Sequence, residues 1–89
     1  MTRKDRIAAA LTEALRPIRL DIVDESDRHA GHAGAHPGGQ THYRLHIVSP
    51  AFVGKTRVER HRMVNALLAA EFASGLHALA IAVAAPDEA

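Results

Sequence analysis

The 89 residues suffice for one domain and leave no room for two. A formal net charge of +1 argues neither for nor against a nucleic-acid partner, and the lack of cysteine excludes disulfides, a thiolate nucleophile and a self-sufficient cysteine-ligated cluster. No apolar run is long enough for a signal peptide or a membrane span, so the expectation is a cytoplasmic protein without a membrane partner.

Residues 2–15 read as a helix. Thr2 is a candidate N-cap and Asp5, three residues on, completes a capping-box pattern. Ile7, Ala8, Leu11 and Leu15 share one face, Arg3, Lys4, Glu13 and Arg16 fall largely outside it, and Pro17 stops the helix. In residues 18–24, Ile18, Leu20 and Ile22 alternate with Arg19 and Asp21, as in a half-buried strand. Residues 25–40 are rich in Gly, Ala, His and Asp without periodicity, which predicts a loop, and loops of this length tend to be functional or disordered. Alternation returns over 41–48, with Tyr43, Leu45 and Ile47 on one face and His42, Arg44 and His46 on the other. Ser49 and Pro50 end that strand. Phe52 and Val53 are expected to tuck back onto the core, and Gly54 permits a turn.

A second helix is predicted over 56–72. Thr56 and Glu59 form another capping-box pair, and Met63, Val64, Leu67, Leu68 and Phe72 make its buried stripe. Gly75 marks its end, residues 76–83 read as a third strand, and 85–89 as a frayed tail. The expected fold is therefore α+β, ordered α-β-β-α-β. Strands one and two form a hairpin, and strand three follows a crossover helix, giving a three-stranded mixed sheet covered on one face by helices.

These motifs together resemble the BolA family. Asp24-Glu25-Ser26-Asp27-Arg28-His29 resembles the family's loop entry, and Gly39-Gln40-Thr41-His42-Tyr43 its entry to strand two. Val48-Ser49-Pro50-Ala51-Phe52-Val53-Gly54 is similar to its turn with Phe-x-Gly. Arg60-His61-Arg62-Met63-Val64 resembles its Arg-His-Arg helix signature, and Leu76-His77-Ala78-Leu79-Ala80-Ile81 its third-strand signature. The resemblance runs from about residue 3 to residue 84. It implies a fold similar to class II KH domains and an accessory, non-enzymatic protein that binds a monothiol glutaredoxin, often through a bridging [2Fe–2S] cluster. It also implies a looser association with DNA binding and stress-linked transcription. Family heterodimers take histidine ligands from this partner: the third-strand position, here His77, and commonly a loop His or Cys. By position the loop candidate is His29, with His32 and His36 as alternatives in the same loop.

The residues themselves allow other readings beside that one. His77 is in phase with Leu79, Ile81 and Val83, which places it on the core side at the start of strand three, where an imidazole is often only a hydrogen-bonded structural group. His29, His32 and His36 have spacings that would share a helix face, but the glycines around them argue against a helix. They fit a solvated histidine-rich loop, a cluster ligand, or a stand-alone Zn or Ni site. Two imidazoles bind one iron only if thiolates hold the other. A chain without cysteine must borrow them, and the resemblance implies a glutaredoxin cysteine and its glutathione as the source. Lys55, Arg57, Arg60 and Arg62 crowd a helix N-terminus, where the dipole favours anions. They read as a solvated face, a partner-docking surface with His61, or a phosphate-contacting surface of a DNA-binding regulator. His61 itself reads as a packing or capping residue. No nucleophile elbow, phosphate loop or metalloprotease motif supports an enzyme. Alone, the chain is expected to be a monomer or weak homodimer.

Overall fold

The computed structural model describes residues 2–25 and 41–89. The expected loop at 25–40, apart from Glu25, lies outside the described residues. Helix α1 spans Arg3–Leu15 and starts as its cap predicts. The Asp5 amide donates to Thr2 Oγ1 at 3.2 Å, and the Thr2 amide donates to the Asp5 carboxylate at 3.1 Å. Ile7, Leu11 and Leu15 are buried. The helix ends with Arg16 in the left-handed region at φ 45°, immediately before Pro17.

Strand β1 (Arg19–Asp24) pairs antiparallel with β2 (His42–Val48), which pairs parallel with β3 (Ala78–Ala84), so β2 is central. The register sets Leu20 opposite Ile47, and Ile22 opposite Leu45. Tyr43, Leu45 and Ile47 face Leu79, Ile81 and Val83 across the parallel pair. Those side chains meet Ile7, Leu11, Leu15, Phe52, Val64, Leu68 and Leu76 in one core. Period-two alternation puts Arg19, Asp21, His42, Arg44, His46, Ala78, Ala80 and Ala82 on the other face, over which none of the described helices packs.

Several positions depart from the sequence reading. Ile18 is 66% exposed. Its amide donates to the Val48 carbonyl at 2.8 Å, so pairing extends to Ile18 while the helical cover does not. Phe52 is fully buried but Val53 is exposed. Both belong to the turn formed by the 3₁₀ segment Pro50–Phe52, where successive side chains diverge by about 120° and only one points inward.

The long helix is two. Helix α2 (Arg57–Leu67) gives way to α3 (Ala69–Ala73) at Leu68, whose φ of −105° and ψ of 14° leave the helical region. The Leu68 amide is shared between the Val64 and Asn65 carbonyls, at 3.1 and 3.2 Å. This break rotates the following residues, so Phe72 is left partly exposed and Glu71 turns inward, while Leu67, in the last turn before it, is also partly exposed. Helix α3 closes in a Schellman arrangement: the Leu76 amide donates to the Glu71 carbonyl and the Gly75 amide to that of Phe72, with Gly75 at φ 124°.

Glu71 meets the start of α1, where Arg3, expected outside the apolar face, is instead buried. Arg3 Nη1 donates to the Glu71 carboxylate and to Ser74 Oγ, both at 2.8 Å, and Arg6 grips the same carboxylate with two bonds of 3.0 Å. These arginines, Arg6 foremost, hold the Glu71 carboxyl below its ordinary pKa despite burial. The C-terminal residues, expected to fray, form a 3₁₀ turn over Pro86–Glu88 behind the buried Ala85.

Candidate functional site

Strand three begins later than its apolar pattern suggests, and this decides where His77 points. The amides of His77 and Ala78 both donate to the Thr41 carbonyl, at 2.8 and 3.1 Å. Two consecutive amides on one acceptor are not the alternation of a strand, so the pleat starts at Ala78. His77 is therefore not on the core side with Leu79, as the alternation predicts; it is exposed at the lip of the sheet, while Leu76 plugs the core before it.

At that lip His77 meets His42. Their ring centroids lie 5.8 Å apart with planes at 69°, an edge-to-face contact. The His42 ring is itself held, since its Nδ1 and the hydroxyl of buried Thr41 share a hydrogen bond of 2.8 Å. Nothing in the His42 pattern beyond its place on the face opposite Tyr43 signals this contact, because the strand offset that creates it is long-range. Among the described residues no three His, Asp or Glu side chains converge on a metal position. His29, His32 and His36 lie outside the described residues.

Further along the sheet face opposite the core, Asp21 Oδ2 accepts from Arg19 Nε at 2.7 Å and lies 3.8 Å from His46 Nδ1 across the β1–β2 pair. Arg44 pairs with Glu25 at 3.2 Å.

The basic run at α2 divides into two kinds of residue. Thr56 and Glu59 form the expected capping box, and the Thr56 amide lowers the Glu59 carboxyl pKa. Lys55, Arg57 and Arg62 are exposed. Half-buried His61 lines a shallow depression with Arg57, Ile81, Ala82 and Val83. Arg60 is not part of an exposed basic surface. It is buried with its guanidinium 5.9 Å from the Phe52 ring centroid, and its Nε donates to the Lys55 carbonyl at 2.9 Å. Its two terminal nitrogens grip Glu88 at 2.6 and 3.0 Å. That bidentate pair, with the Ala85 amide second, draws the Glu88 carboxyl down to about 2.

Residues 11–88 match the BolA-like protein family. The chain belongs to that family. A protein of Sinorhizobium sp, described as uncharacterized, is 47% identical over 89 residues, covering 99% of this chain and 96% of the relative. The DNA-binding transcriptional regulator BolA of Escherichia coli K12 is 38% identical over 81 residues, covering 91% of this BolA-like chain and 73% of the relative. The BolA domain of SufE1 from Arabidopsis thaliana is similar in structure, with a TM-score of 0.89 at 45% identity, covering 100% of this chain and 98% of that one. The BolA-like chain spans 24% of the length of SufE-like protein 1 from the same plant. These neighbours agree with the α+β fold and its three-stranded mixed sheet. Among the described residues no helix of this BolA-like chain is long and apolar enough to cross a membrane.

Proposed function

We propose that this BolA-like protein is an accessory module that binds a monothiol glutaredoxin and shares a bridging [2Fe–2S] cluster with it, in cluster trafficking or iron-responsive regulation. The observation that carries the reading is an exposed imidazole, His77, at the lip of the sheet of a chain that has no thiolate to offer. The donor set fits a shared cluster and not an autonomous one. His77 would hold iron together with a loop histidine, His29 by position or else His32 or His36, and the glutaredoxin cysteine and glutathione would supply the sulfur ligands. A cluster ligated by histidine and thiolate has a higher reduction potential than one held by thiolates alone. The residues of this chain present the imidazole and offer a docking surface in Lys55, Arg57, His61 and Arg62 beside β3.

The test is anaerobic co-purification with a monothiol glutaredoxin and glutathione. The expected product is a coloured heterodimer whose visible spectrum changes in His77→Ala. A spectrum untouched by that substitution overturns the ligand assignment, and failure to form a heterodimer overturns the reading.

A second reading, a DNA-binding regulator of stress response or cell morphology, is favoured by the Escherichia coli relative's description and by the exposure of Lys55, Arg57 and Arg62. Without interleaved aromatics, its affinity would come from phosphates. A mobility-shift assay in which Arg57→Ala and Arg62→Ala leave duplex binding unchanged rejects it.

A further inference from the structure

We propose that His42 is a positioning residue for His77, and that Thr41 and His42 together form a bracket that presents the His77 imidazole outward. The inference deepens the cluster-sharing reading and rests on it for the identity of the ligand. Three contacts build the bracket. The Thr41 carbonyl accepts from the amides of His77 and Ala78, which fixes the backbone under the His77 side chain. The Thr41 hydroxyl bonds to His42 Nδ1 at 2.8 Å, which restrains rotation of the His42 ring. The His42 ring then meets the His77 ring edge to face, at 5.8 Å between centroids.

An exposed side chain at the end of a strand ordinarily samples several rotamers. Here a neighbouring ring, itself tethered to a buried residue, narrows that choice before any partner arrives. Ligands held in advance lose less conformational freedom on binding, and outer-shell groups that orient a metal-bound histidine commonly change affinity by about 10-fold or more when removed. Thr41 is 5% exposed and His42 belongs to the central strand, so the bracket is part of the folded sheet.

The experiment compares His42→Ala, His42→Phe and Thr41→Val in the full chain. The first readout needs no cluster: side-chain NMR of the His77 ring in the protein alone, giving its rotamer populations. The expected result is a dominant rotamer in the native protein, averaging in His42→Ala, and partial restoration in His42→Phe, which keeps a ring but loses the Nδ1 bond to Thr41. Thr41→Val is expected to fall between native protein and His42→Ala. The second readout is the lifetime and visible circular dichroism of the cluster in the glutaredoxin heterodimer. Loss is expected to be roughly 10-fold faster in His42→Ala, with a smaller increase in His42→Phe.

Unchanged His77 rotamers in His42→Ala overturn the proposal. So does a cluster impaired equally by His42→Ala and His42→Phe, since that pattern makes His42 a ligand and not a support. If the native protein forms no cluster, the cluster-sharing reading fails while the NMR comparison still decides whether His42 positions His77.

Discussion

Phe52 and Val53 are adjacent and both apolar, yet the structure assigns them opposite weights. Phe52→Ala removes a fully buried ring from the junction of the 3₁₀ turn, the core and Arg60. The lost transfer free energy is about 2–3 kcal/mol. Incomplete collapse of the space left behind adds about 1–2 kcal/mol, for a total near 4 kcal/mol. A domain of 89 residues holds roughly 4–13 kcal/mol of stability in all. The variant should therefore melt roughly 15–30 °C below the native protein, or be unfolded at the outset if native stability lies at the low end. Val53→Ala, at a side chain 61% exposed, should change stability by no more than about 0.5 kcal/mol. Thermal and urea unfolding, followed by far-ultraviolet circular dichroism, measures both. If the two substitutions cost the same, or if Phe52→Ala melts within about 5 °C of native, the placement of this turn is wrong.

Four further outcomes are expected. Glu88 has its carboxyl drawn from an ordinary 4.5 to about 2 in the folded state, so its contribution is complete above the unfolded value and is lost as pH falls through that window; urea midpoints measured across it should fall less steeply in Glu88→Gln. Glu71 titrates below its ordinary value because Arg6 and Arg3 bind it, and Glu71→Ala should lower amide-exchange protection through α1, whereas unchanged protection would show that the arginines are not anchored there. Gly75→Ala should destabilise by about 2–3 kcal/mol, because φ is 124° and an added Cβ would approach Arg3 Nη2 at 3.2 Å. Gly54→Ala, at φ 76° with open space, should cost about 1 kcal/mol, and a reversed order in denaturant titration would contradict both assignments.

The features legible in the sequence are those decided within a few residues. Thr2 with Asp5 and Thr56 with Glu59 announce their helices because each cap closes over three positions. Tyr43, Leu45 and Ile47 announce the central strand because alternation is a local property. Features set by distant partners were not legible. Arg3 and Glu71 are 68 positions apart, and Arg60 and Glu88 are 28, so nothing near any of them marks it as paired. The break at Leu68 carries no Gly or Pro, and without it the stripe as far as Phe72 reads as buried. The site shows the same division. His77 stands out by its motif, but its outward placement depends on where pairing with Thr41 begins, and the role of His42 depends on that same offset.

The Arg60–Glu88 pair has a consequence for how steeply any polyanion would respond to salt. An arginine whose charge is matched by a carboxylate inside its own fold releases no counterion from a phosphate backbone. This stretch of the chain therefore offers three cations to such a partner, Lys55, Arg57 and Arg62, and not four. With about 0.9 of a counterion released per phosphate contact, the logarithm of affinity for duplex DNA should fall with the logarithm of salt with a slope no steeper than about −2.7 from this surface. A steeper dependence would mean that cations elsewhere in the chain take part.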